Sequence, residues 1–409
     1  MKLALSLLIA CSVLPLSAGS AENTPMSATV SEKLVAGNNA FAVDLYGHLR
    51  NQSGNLFFSP ASVSTALAMT YSGARGDTAT QMANTLHYNL PPDQLHPAMG
   101  SLLNGFNATH DGYKLHVANA LWAQRDSSFL DTFLNLNKSN YGASFHRVDF
   151  KNSTEAARQT INQWTEQKTE NKIKDLLRPG VLKPDTRLVL TNAIYFKSEW
   201  QTTFKKSETK NENFYLSSEH KNVIAPLMHR TGRFNYYQGD TFQILEIPYK
   251  NEELSLIIFL PKNFDGLSDF EKLLTASKLQ QWLGQLGPLP EVEVTIPKFK
   301  MTQQIDLAGT LSAMGMPLAF DSHAADFSAM TGKPELFISA VIHKAFIDVN
   351  EEGTEAAAAT AAVFGLMALA PRPHEQPLVF RADHPFLYLI RDNHSGSILF
   401  MGRITDPTK

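Results

Sequence analysis

Apolar residues recur at helical spacing at Leu34, Phe41, Ala42, Leu45 and Leu49, which predicts an early amphipathic helix. Ala66, Leu67 and Thr70 repeat the pattern in a second helix from Ser62 through Tyr71. Ala157, Ile161 and Trp164 mark a third, on a segment rich in Gln, Glu and Lys. Ser268 and Glu271 stand at capping-box spacing, so they open a predicted helix carrying Leu273, Leu274 and Trp282. Strands read as plainly. Leu188 through Phe196 is a β-branched and aromatic run, and Leu254 to Leu260 is nearly all apolar, as in a strand buried on both faces. Glu291 to Ile296 alternates, as a half-buried strand does. Phe337 to Ile347 and Leu378-Val379-Phe380 are also strand-like. Helices crowd the first half and strands the second, which predicts an α+β fold rather than alternating βαβ units.

Between the last two strands lies Asn350-Glu351-Glu352-Gly353-Thr354-Glu355-Ala356-Ala357-Ala358-Ala359-Thr360-Ala361-Ala362. An apolar tip from Val363 to Ala370 and a proline break at Pro371 and Pro373 follow it. By propensity the alanines form a helix that Thr354 caps. The flanking strands argue otherwise. As a strand, the segment places Thr354, Ala356, Ala358, Thr360 and Ala362 on one face, and Glu355, Ala357, Ala359 and Ala361 on the other. The first face holds nothing large and nothing charged, so a closed sheet could admit it without a clash. Glu355 is expected at the solvated edge of the second.

The chain has 409 residues and 43% hydrophobic content, enough for a large core. No linker, charge run or repeat divides it, so one large domain is expected. Net charge is −3 without a basic stripe, which argues against nucleic-acid or heparin-like partners. The sole cysteine, Cys11, lies in an apolar leader from Leu3 to Leu16 that follows Lys2. Gly19 and Ala21 supply the small residues of a signal-peptidase site before Glu22, giving a leader of 1–21 and a mature domain of 22–409. The rival is a lipid anchor at Cys11, but the chain stays apolar beyond it. A secreted or periplasmic mature protein without cysteine owes no stability to disulfides. Sequons occur at Asn107, Asn137 and Asn152.

Enzyme signatures are missing: no Gly-x-Ser-x-Gly elbow, His-Glu-x-x-His, Cys-x-x-Cys, phosphate-binding glycine loop or calcium loop occurs. The expectation is no catalysis, no metal and no cofactor.

Five segments, in order, carry a family resemblance. They are Asn55-Leu56-Phe57-Phe58-Ser59-Pro60-Ala61-Ser62; Thr191-Asn192-Ala193-Ile194-Tyr195-Phe196-Lys197-Ser198-Glu199-Trp200; and Ile342-His343-Lys344-Ala345 leading into the alanine-rich segment. Asp383-His384-Pro385-Phe386-Leu387 and Leu399-Phe400-Met401-Gly402-Arg403 close the set. Together they resemble the serpins across nearly the whole mature chain. The resemblance implies a single serpin domain with a main β-sheet, further sheets, surrounding helices and an exposed reactive-centre loop over about 351–377.

It further implies a monomeric, metastable suicide-substrate inhibitor of serine proteases (cysteine proteases are a second class), in a bacterial secreted member. The alternative is a non-inhibitory serpin serving as carrier or chaperone, but such members usually carry bulky, charged or proline residues in the hinge. By resemblance, Glu351, Gly353, Thr354, Ala356, Ala358, Thr360 and Ala362 form the hinge. Ser59, Ser62, Asn192 and His343, with Trp200 where the loop enters, govern sheet opening. The family's hinge-to-bond spacing puts the scissile bond between Met367 and Ala368, after Leu366, with the register open by a residue or two. An unbranched apolar bait suits elastase-, chymotrypsin- or subtilisin-like pockets.

Overall fold

The computed structural model describes residues 28–142, 144–217, 221–355 and 378–409. The apolar stripe of the first helix becomes α1 (Ala28–Leu49), whose Phe41, Ala42, Leu45 and Leu49 are buried. Pro60 starts α2 (Pro60–Tyr71), where its missing N–H costs nothing, and the Ser59 side chain accepts from the Ser62 N–H as the N-cap. Every residue of α2 from Pro60 to Thr70 is buried, so it is a central helix with no solvent face. α3 (Gly76–Thr85), α4 (Pro92–Asn107), α5 (Asp131–Tyr141) and α6 (Thr154–Lys168) complete the helical half. Shorter helices follow: α7 (Leu267–Leu273), α8 (Ala276–Leu283), α9 (Ala308–Met314) and α10 (Ser328–Thr331).

The strands form two sheets among the described residues. The main sheet contains β2 (Tyr113–Gln124), β3 (Ser144–Val148), β4 (Leu188–Glu199), β10 (Phe299–Asp306), β11 (Ile338–Val349) and β12 (Gly353–Thr354), in the order β10-β11-β12-β4-β2-β3. The second runs β1 (Leu56–Phe58), β15 (Ile398–Ile404), β14 (Phe386–Asp392), β8 (Leu254–Pro261), β7 (Phe242–Pro248), β6 (Asn222–Gln238), β9 (Gly287–Pro297) and β13 (Leu378–Arg381). β5 (Lys210–Tyr215) pairs off this path with β6. α1 and α2 fill one core with the inner side chains of both sheets; α6 covers a smaller one on the opposite face of the main sheet.

One expectation needs correction. The capping box at Ser268 does not form: α7 begins after Gly266 without a side-chain cap and ends at Leu273. A new helix, α8, starts after Thr275, whose side chain accepts from Lys278 N–H. Phe270 and Trp282 stack at 5.4 Å, so burying both rings in one cluster outweighs helix continuity. Gly353 and Thr354 are strand, as the flanking strands argued, because neighbouring strands supply ladder partners. The Asn137 sequon is 2% exposed and inaccessible to a glycan.

Candidate functional site

β11 and β4 run parallel and adjacent from Ile338 opposite Leu188 to Phe346 opposite Tyr195. Beyond that they part, and the chain doubles back so that β12 fills the gap. Val349 pairs with Thr354 on one side, while Gly353 and Thr354 pair with Glu199 and Ser198 on the other. Thr354 is fully buried, its hydroxyl 2.8 Å from that of Tyr249. Only glycine fits before it: the backbone of Gly353 has φ +153°, and a Cβ there would lie 2.0 Å from the Ser198 carbonyl. Glu355 has φ +51°, so the chain turns out of the sheet after two residues.

The turn itself is pinned. Glu351 is 2.8 Å from Lys298 and accepts from Thr209 at 2.9 Å. Burial raises its carboxyl, but these hydrogen bonds outweigh burial and hold it below the ordinary range. Glu352 meets Lys206 at 2.7 Å. Trp200 closes the end: its indole N–H donates to Asn350 carbonyl at 2.8 Å, its own N–H to Glu352 carbonyl at 2.9 Å, and its ring stacks on Tyr249 at 4.5 Å.

Deeper in the sheet, where β4 and β11 are still paired, a buried polar cluster lies at the start of α2. Ser59 N–H donates to His343 Nε2 at 3.0 Å, and Ser59 Oγ donates to Leu399 carbonyl at 2.6 Å. Asn192 Nδ2 donates to Ser62 Oγ at 2.6 Å and also to Asn119 Oδ1. The remaining ring nitrogen, His343 Nδ1, meets Asn192 Oδ1. An N–H facing Nε2 requires that nitrogen to be bare, so the proton sits on Nδ1 and the ring is neutral. Burial agrees, lowering its pKa to about 3.

This gives a pH prediction. The unfolded ring titrates near 6.5 and the folded one at about 3, so between those values the unfolded chain binds more protons. Stability is then full above pH 6.5 and lost as pH falls, by about 3 kcal/mol at pH 4.5 from this residue alone. Denaturant unfolding of wild type and His343→Gln at pH 7 and 4.5 checks it; an equal acid loss in both would be evidence against it. His96, lowered to about 4 by burial, contributes to both proteins alike.

The structure thus brings Ser59, Ser62, Asn192 and His343 together, and places Trp200 apart from them, at the hinge. Glu351, Gly353 and Thr354 are where a hinge would begin. Ala356, Ala358, Thr360, Ala362, Leu366, Met367 and Ala368 lie outside the described residues. Glu355 departs from expectation: its side chain is 14% exposed and paired with Lys172 rather than solvated. Sequence reasoning missed Asn119, Tyr249 and Lys298. Asn119 left a signal, a lone amide inside the apolar strand Leu115–Leu121; the other two left none.

The main sheet is thus parted at one end, with Gly353 and Thr354 paired between β4 and β11. The family model for Serpin (serine protease inhibitor) matches residues 36–407, and the chain belongs to the serpin family. It is 41% identical over 92% of its length to all of the leukocyte elastase inhibitor of Homo sapiens. It is 42% identical, over 90% of this chain and 84% of the relative, to an uncharacterized serpin-like protein of Thermococcus kodakarensis. The solved structure of human thyroxine-binding globulin complexed with thyroxine is similar at a TM-score of 0.83 and 30% identity, covering 93% of this chain and 100% of that one.

Proposed function

We propose that this serpin is a suicide-substrate inhibitor of elastase-like serine proteases, consumed in a single turnover rather than catalytic itself. The observation that carries the reading is β12, already in ladder register between β4 and β11. Continued residue by residue, that register takes Thr360 between Asn192 and His343, which face each other in the parallel pair. It takes Met367 opposite Asp185, just beyond the start of β4 at Leu188. A strand reaching from Thr354 to the scissile residue therefore spans the sheet.

The protease serine attacks the Met367 carbonyl, the amine of Ala368 leaves, and an ester joins Met367 to the protease. The freed hinge then enters the sheet and draws the protease to its far end before water can cleave the ester. Reactive-loop insertion in serpins is itself a standard example of strand addition and strain release. The elastase-inhibitor relatives and the apolar Met367 support the target class. Similarity to a thyroxine carrier supports the carrier reading, but the small, uncharged face from Thr354 to Ala362 favours inhibition. Export rests on the leader at 1–21, upstream of the family match.

Mixing with an elastase-like protease is expected to give an SDS-resistant complex and a released fragment beginning at Ala368. Oxidation of Met367 to the polar sulfoxide slows the reaction roughly tenfold or more, because the apolar pocket rejects it. Cleavage without a complex would favour the carrier. A stable complex formed by a trypsin-like enzyme cutting after Arg372 would displace Met367 as the bait.

A further inference from the structure

The chain after α6 crosses the front of the main sheet as a strap. Ile173 is fully buried against Ala118, Ala193, Tyr195 and Phe346. Asn162 grips Leu177 through both its N–H, at 2.7 Å, and its carbonyl, at 3.0 Å. Lys344 on β11 donates to the Lys174 carbonyl at 2.6 Å. Glu170, Asn171 and Asp175 take left-handed backbone angles, so the strap follows a defined, bent path between these anchors. Lys172 projects from it where β4 and β11 part. Its ammonium pairs with Glu355 and lies 5.9 Å from the centre of the Tyr195 ring.

Glu355 needs that partner. Its second carboxylate oxygen is buried without a hydrogen bond among the described residues; Lys172 is its one ion-pair partner among them, and the Tyr195 hydroxyl is the other polar group facing the carboxylate. Its backbone N–H donates to the Asp348 carbonyl at 2.7 Å, which ties it to the end of β11.

We infer that Lys172 is a positioning residue that sets how far the hinge enters the resting sheet. A carboxylate so covered is tolerated only with a cation beside it; without one it turns to water. Glu355 is bonded to Thr354, so that movement draws Thr354 out from between β4 and β11. With Lys172 present, deeper entry requires Glu355 to leave its left-handed angle while held from the strap. The pair therefore restrains the hinge in both directions, at a depth of two residues. This deepens the proposed inhibitory reading by naming what holds its starting state.

Hydrogen exchange in the full chain tests it without any protease, so it can fail independently of that reading. Lys172→Met keeps the stem and removes the charge. It is expected to cut protection of the Glu355 amide at least tenfold and to change Trp200 emission, with amides from Ile342 to Ala345 unaffected. Combining Lys172→Glu with Glu355→Lys should restore protection. Unchanged protection in Lys172→Met, or a loss that the exchanged pair fails to restore, would overturn the assignment.

Discussion

Thr354→Arg is expected to turn the inhibitor into a substrate. Thr354 is fully buried between β4 and β11, with Tyr249 hydroxyl 2.8 Å from its own. Arginine is far larger than the buried threonine it replaces, and an unpaired charge entering a sheet costs several kcal/mol. In the proposed mechanism insertion and deacylation compete from the same acyl-enzyme, so each ~1.4 kcal/mol added to the insertion barrier shifts that competition about tenfold. The stoichiometry of inhibition should rise by about tenfold or more, while the initial rate of loop cleavage stays near wild type. Titration of an elastase-like protease, followed on denaturing gels, measures both. Inhibition at wild-type stoichiometry would show that Thr354 does not face the sheet interior during insertion.

Cleavage in the loop is expected to raise the melting temperature by about 20 °C, since roughly 2–4 °C accompanies each kcal/mol in domains of this order. In the intact protein β4 and β11 share one parallel ladder from Ile338 to Phe346. An inserted strand replaces it with two antiparallel ladders, a net gain of one ladder about ten residues long. At roughly 0.5–1.5 kcal/mol per hydrogen bond the gain is on the order of 10 kcal/mol. That is comparable with the whole stability of many domains. Calorimetry of intact and loop-cleaved protein reads the difference directly. Coincident midpoints would sink the insertion mechanism, whatever the gels show.

Local pattern made much of the architecture legible. Helical spacing marked α1, α2 and α6, and β-branched and apolar runs marked β4 and β8, because side-chain periodicity is set within a few residues. The family was readable because five segments keep the same residues in the same order. The alternation from Thr354 to Ala362 was likewise a property of neighbours along the chain.

What only the tertiary structure decided depends on residues far apart in sequence. Ser59 and His343 are 284 positions apart, and Lys172 and Glu355 are 183 apart. No periodicity can announce such a pair. Whether Gly353 and Thr354 became helix or strand was settled by the vacancy between β4 and β11, not by propensity. The depth of entry, the neutral state of His343 and the company kept by Glu355 follow from burial, which the chain acquires only once its sheets and helices have closed around it.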